Sequence, residues 1–169
     1  MKTLSYRILN AFVALASLVV SIFVIAYLQH YLYLDPCPLC IFQRIGLWIS
    51  GLFAFLAALF NPKGKTVRLI LWLCGTLGAL WGFGVAARHT WIHYFPSQEL
   101  VECGPGLNYM VETMPMGDVF SKVLFAKGDC TIIDWAVFGL SIPAQALILF
   151  SIILVIQVVL LNKILKDKS

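Results

Sequence analysis

Four long stretches without a charged residue constrain this chain more than anything else: Ile8–Tyr27, Ile45–Phe60, Leu69–Ala87 and Trp135–Leu161. A helix needs about 20 mostly apolar residues to cross the hydrocarbon core of a bilayer. The second stretch is short by itself and reaches spanning length by starting near Ile41, with Arg44 at the interface and its stem in the apolar region. The composition agrees, with 61% hydrophobic and 12% charged residues, against roughly 25% charged in soluble domains. The expected fold is an all-α membrane protein, one four-transmembrane-helix bundle over residues 1–169 with spans at about 8–28, 41–60, 69–87 and 143–162. Ala14-Leu15-Ala16 has the small residues of a cleavage site but lies in the middle of its apolar run, so this segment reads as a retained helix.

Basic residues set the expected orientation. Lys2, Arg7, Lys63, Lys65, Arg68, Lys163, Lys166 and Lys168 fall on one side, leaving Arg44, Arg88, Lys122 and Lys127 for the other. The positive-inside rule puts the first side, with both termini, in the cytoplasm. Residues 29–40 and 88–142 then form two outer loops, which in a bacterium would be periplasmic. The net charge of +4 reports this topology and gives no reason to invoke nucleic acid.

The long outer segment is too small and too poor in core residues for a domain of its own. Met116, Val119, Phe120, Val123 and Leu124 recur at helical spacing. That pattern fits a short interfacial helix lying on the membrane, and it fits equally a helix packed on the bundle.

Four of the five cysteines lie just outside the spans: Cys37 and Cys40 in the first loop, Cys103 and Cys130 in the second. All four face the side where disulfides form and persist. Cys74, inside an apolar run, needs no chemical role. Asp35-Pro36 breaks the chain, and Pro38 suits a first helical turn because it has no amide hydrogen to leave unpaired. Cys37 and Cys40 therefore stand at the positive end of a helix, where a thiol pKa falls and the reactive thiolate gains population. Arg44, four residues after Cys40, shares its helical face and can stabilise a Cys40 thiolate or hold a carbonyl oxygen that gains charge.

Each feature has a plainer explanation. A lone C-x-x-C is as easily half a zinc site, but the other cysteines form no second such pair and the compartment is oxidising, so no metal is expected. Arg44 alone reads as a snorkelling interfacial arginine. Cys103 and Cys130 alone read as a structural staple worth about 3 kcal/mol. Together, however, two outer cysteine pairs exceed what a four-helix bundle needs for stability, and they make a path for electrons by thiolate attack on disulfide.

The segments that carry this pattern are Cys-Pro-Leu-Cys-Ile-Phe-Gln-Arg at 37–44, Arg88-His89-Thr90, Cys103-Gly104-Pro105-Gly106-Leu107, Gly128-Asp129-Cys130, and Trp135 followed by Phe138-Gly139-Leu140-Ser141-Ile142-Pro143. In this order on a four-span profile, the chain resembles the bacterial DsbB family of inner-membrane thiol:quinone oxidoreductases, which reoxidise a periplasmic DsbA-type thiol oxidase. In bacteria the DsbA–DsbB–quinone system keeps the periplasm oxidising.

The resemblance implies a sequence of exchanges. The partner's thiolate attacks a Cys103–Cys130 disulfide at Cys103, and Cys130 attacks a Cys37–Cys40 disulfide at Cys37. Cys40 is released one helical turn from Arg44 as the sulfur facing the cofactor, a membrane ubiquinone (or menaquinone). His89 matches a family histidine near that cofactor, while alone it reads as an interfacial histidine; His30 and His93 have no such support. Gln145 departs from the family pattern, which has an aromatic, usually tryptophan, after Pro143-Ala144. Two other classes compete: a related oxidase with a dedicated partner, and a non-enzymatic bundle stapled by two structural disulfides. The staples would have potentials below about −300 mV and resist exchange, whereas an oxidase needs bridges that a partner near −120 mV can reduce while quinone drains the electrons.

Overall fold

With no water in the bilayer core, backbone N–H and C=O groups must pair within the segment, so each apolar run becomes a helix. The computed structural model describes residues 5–32, 37–95, 113, 115, 118, 136, 137 and 140–166. Helix α1 (Tyr6–Phe23) continues as a π-helical segment, Val24–Tyr31. Then come α2 (Pro38–Phe60), α3 (Lys65–Tyr94) and α4 (Ile142–Lys166), the last preceded by a two-stranded antiparallel ladder of β1 (Ala136–Val137) and β2 (Leu140–Ser141). All four helices are long and apolar enough to cross a membrane, and the protein is a four-helix membrane bundle. The interfacial helix expected around residues 116–124 lies outside the described residues, apart from Asp118.

Helix ends follow local chemistry. Cys37, in extended conformation, caps α2, and Pro38 opens its first turn as expected. Asn61 ends α2 in the left-handed region, φ 38° and ψ 57°, a conformation asparagine tolerates better than most residues. Pro62 follows and cannot continue the helix. Helix α3 runs past the last apolar residue of its stretch, Ala87, and carries Arg88, His89 and His93 on regular helix. Its 30 residues extend about 45 Å at 1.5 Å per residue, beyond a hydrocarbon core of about 30 Å.

Small residues decide how closely the helices approach. A Cβ placed on Gly46 of α2 would lie 2.8 Å from both the Gly78 carbonyl oxygen and the Gly82 amide nitrogen of α3. Gly82 also receives the ring of Phe150 from α4, leaving no room for a side chain. Close backbone approach through small residues is how membrane helices associate when lipid removes the hydrophobic drive between them. Around this seam Val13, Leu47, Ala54, Ala79, Ala86, Phe150 and Ile153 form the buried core. Outward-facing Phe12, Leu15, Leu18, Leu52, Phe55 and Val155 are more than half exposed, a surface that only lipid solvates well.

Helix α2 packs mainly on α3 and α1, and α3 on α4, whereas α4 touches α1 and α2 sparsely. The bundle is thus closed along α1–α2–α3–α4; where α4 returns to α1 the helices share buried clusters at Val13 with Phe150 and Ile153 and at Tyr6 with Leu160 and Ile164, but stand apart near Cys40. That gap holds the site.

Candidate functional site

The N-terminal turn of α2 brings Cys37 and Cys40 together. Their sulfurs are 2.8 Å apart, and the Cys40 amide donates to Cys37 Sγ at 3.3 Å. Both sulfurs are partly buried. A disulfide bond is about 2.05 Å long, so small side-chain rotations suffice to join them. The capping geometry directs a backbone N–H, together with the helix's positive end, at the Cys37 sulfur.

Helix α3 supplies His89 from the other side. It is 1% exposed, with Nε2 3.9 Å from Cys37 Sγ and Nδ1 3.1 Å from Nε2 of the Gln43 side chain. With the Gln43 amide nitrogen turned to it, Nδ1 would accept and the imidazole proton would reside on Nε2, facing the sulfur. The sulfurs of Cys37 and Cys40 and a His89 ring nitrogen lie within 4.8 Å of one another, close enough to surround a metal ion. Ligation would need a lone pair on Nε2, whereas the tautomer protonated there would hydrogen-bond the sulfur instead.

Arg44 and Cys40 face a different space. Arg44 Nη1 donates to Oε1 of Gln29 at 2.9 Å, tying α2 to the π-helical segment. Arg44, Cys40, Gln43 and Gln29 line a cavity of about 310 Å³ with Gln145 and Phe150 of α4. Apart from Ser21, apolar side chains make up the rest of its wall, including Val20, Leu28, Leu47 and Leu149. It sits in the gap that α4 leaves toward α1 and α2. A larger hollow of about 770 Å³ runs between α1 and α2 from Arg7 to Trp48, and neither a cysteine nor a histidine lines it.

Of the six site residues expected from the sequence, Cys37, Cys40, Arg44 and His89 converge at the start of α2. Cys103 and Cys130 lie outside the described residues. His89 is set against Cys37 and Gln43 and is not among the residues lining the cavity. Cys74 is on α3, fifteen positions before His89 and so about 22 Å away along the helix axis. Sequence reasoning missed Gln29 and Gln43. The available signal was polarity, because an amide side chain in or beside a spanning helix is costly unless it finds a partner.

The cavity is mostly apolar, with one sulfur, one guanidinium and the amides of Gln29, Gln43 and Gln145 at its wall, the pattern of a small-molecule site. The cysteine pair beside it, with its sulfurs 2.8 Å apart, is suited to disulfide exchange.

Comparison with known proteins gives this arrangement its context. The chain matches the family described as Disulfide bond formation protein DsbB over residues 6–160. It is 45% identical over 168 residues to Disulfide bond formation protein B of Psychrobacter sp. (strain PRwf-1), covering 99% of this chain and 98% of the relative. The protein of the same name from Acinetobacter baylyi is 42% identical over 154 residues, 91% of this chain and 90% of that one. With Azoarcus sp. (strain BH72) the identity is 44% over 124 residues, 73% and 74% of the two chains. Similarity of this extent, on a four-helix bundle with a cysteine pair at a helix start, places the chain in the DsbB family of disulfide-forming membrane oxidoreductases.

Proposed function

We propose that this protein is an inner-membrane disulfide oxidase that accepts electrons from a periplasmic DsbA-type thiol oxidase and passes them to membrane quinone. The observation that carries the reading is the position of Cys40, 2.8 Å from Cys37 on one side and lining the Arg44 cavity on the other. A thiol in that place connects a disulfide to an apolar compartment within the bundle.

The partner dithiol gives up two electrons and two protons. One disulfide breaks for each that forms as oxidation passes outward from Cys37–Cys40 to Cys103–Cys130 and then to the partner. Reduction of the inner disulfide leaves the electron pair on Cys37 and Cys40 as thiol and thiolate. Cys40, Arg44 and the cavity wall would hold a quinone, which would supply the two-electron, two-proton acceptor. Arg44, held by Gln29, presents a guanidinium that can hold a ring oxygen or stabilise the Cys40 thiolate. The apolar walls keep water from the sulfur and fit a lipid-soluble ring. Cys37 lies at the extended end of the motif and Cys40 one turn into the helix, so a protein partner and a lipid-borne acceptor need not meet.

The test mixes the purified protein in detergent with a reduced DsbA-type partner and a soluble ubiquinone analogue, beside a Cys103→Ala control. Quinone absorbance should fall with the parent protein and stay level with the control. Reduction that persists in the control removes Cys103 as the entry point. No reduction by a protein that still binds the analogue indicates a different dedicated partner, and no binding at all overturns the reading.

A further inference from the structure

We infer that Gln43 is a positioning residue: its side-chain amide holds His89 in the tautomer with the proton on Nε2, and His89 directs that proton to the Cys37 sulfur. The three groups form a continuous chain, Gln43 Nε2 to His89 Nδ1 at 3.1 Å and His89 Nε2 to Cys37 Sγ at 3.9 Å. Gln43 and His89 are 6% and 1% exposed, so water does not compete strongly for either imidazole nitrogen. In water the two neutral tautomers interchange freely, but here a donor fixed on Nδ1 excludes the tautomer protonated there.

The consequence is a division of labour between the two sulfurs. Cys37 receives N–H groups from the Cys40 backbone and from His89, on two different helices. Cys40 shares the cavity with Arg44. The titratable or charged groups placed near Cys37 among the described residues are Cys40 and Arg44 of α2 and His89 of α3. A reduced Cys37 must ionise before it can rejoin a disulfide, and an N–H directed at its sulfur favours the thiolate. The role of Cys37 in exchange rests on the function proposed above, whereas the hydrogen-bond chain does not.

The pH dependence of Cys37 alkylation by iodoacetamide tests the inference on the full chain in detergent, after reduction, with labelling located by peptide mass spectrometry. A Cys40→Ser background leaves Cys37 as the thiol of its segment. Gln43→Leu should raise the midpoint of the alkylation profile by about one pH unit, slowing labelling at neutral pH by about tenfold. Gln43→Glu should leave the midpoint at or below the parent value, because beside a carboxylate His89 takes up a second proton from solvent: as an imidazolium it donates Nδ1–H to Glu and keeps Nε2–H toward the sulfur. In a His89→Ala background, Gln43→Leu should cause no further shift.

An unmoved midpoint in a Gln43→Leu protein that unfolds at the parent temperature overturns the inference, as does an equal shift without His89. If the leucine variant does not fold, Gln43→Met replaces it with the same two criteria. Alkylation needs neither partner nor quinone. A protein inactive in quinone reduction can therefore still show the predicted profile, and an active one can fail to show it.

Discussion

The seam between α2 and α3 and the gap between α4 and α1 are built on opposite principles. At the seam Gly46, Gly78 and Gly82 let two backbones touch, and Phe150 fills what space remains. Across the gap the contacts are sparse, and a cavity opens beside Cys40 and Arg44. The cysteine pair stands where the two regimes meet: Cys37 faces His89 on the closed side, while Cys40 lines the open one. On the proposed function, a redox pair set this way would be held by the close-packed seam and reached through the gap. The comparison separates stability, which should reside in the seam, from turnover, which should reside at the gap.

The strongest challenge to that separation is Cys40→Ser. On the proposed function it should abolish electron delivery to quinone, with thermal unfolding in detergent close to that of the parent. Turnover that persists removes Cys40 from the pathway. Gly82→Leu attacks the other side by pushing a branched side chain into Phe150 and Gly46. It should cost about 3 kcal/mol or more, read as a lowered unfolding temperature and a poor yield of folded protein, and a well-folded variant would show that the seam can open.

Arg44→Ala should raise the apparent Michaelis constant for quinone by roughly tenfold or more, the scale of one lost hydrogen bond to a charged group. It should have little effect on unfolding, and an unchanged constant would take Arg44 out of the acceptor site. Gln145→Trp sharpens the comparison by placing a bulky ring in the cavity wall. A few-fold change in quinone affinity with unaltered alkylation of Cys37 is expected, and altered alkylation would mean that the gap and the seam are coupled. The smallest effect belongs to Cys74→Ala, partly buried on α3 away from the cluster, which should be nearly silent in turnover.

Much of this was legible along the chain because it is local. Charge-free runs report spans, Pro38 reports a helix start, and i, i+4 spacing puts Cys40 and Arg44 on one face. The seam was harder to see, because Gly78 and Gly82 are ordinary members of an apolar run until a second helix is placed beside them. The π-helical stretch Val24–Tyr31 and the β1–β2 ladder left no usable signal. A π-helix differs from an α-helix only in its hydrogen-bond offset, and two-residue strands are too short to show alternation. The partnership of Gln43 with His89 spans 46 positions and has no periodicity to betray it.

By itself, then, the amino-acid sequence determined a four-helix membrane bundle, a thiol pair at the start of its second helix and membership of a disulfide-forming family, because hydropathy, helix capping and motif spacing act over a few residues. Only the tertiary structure decided that His89 turns to Cys37, that Arg44 is held by Gln29, and that the gap beside α4 opens at Cys40. Those relations depend on which helix faces join, and close approach at glycines on one side leaves the other side free to stand apart.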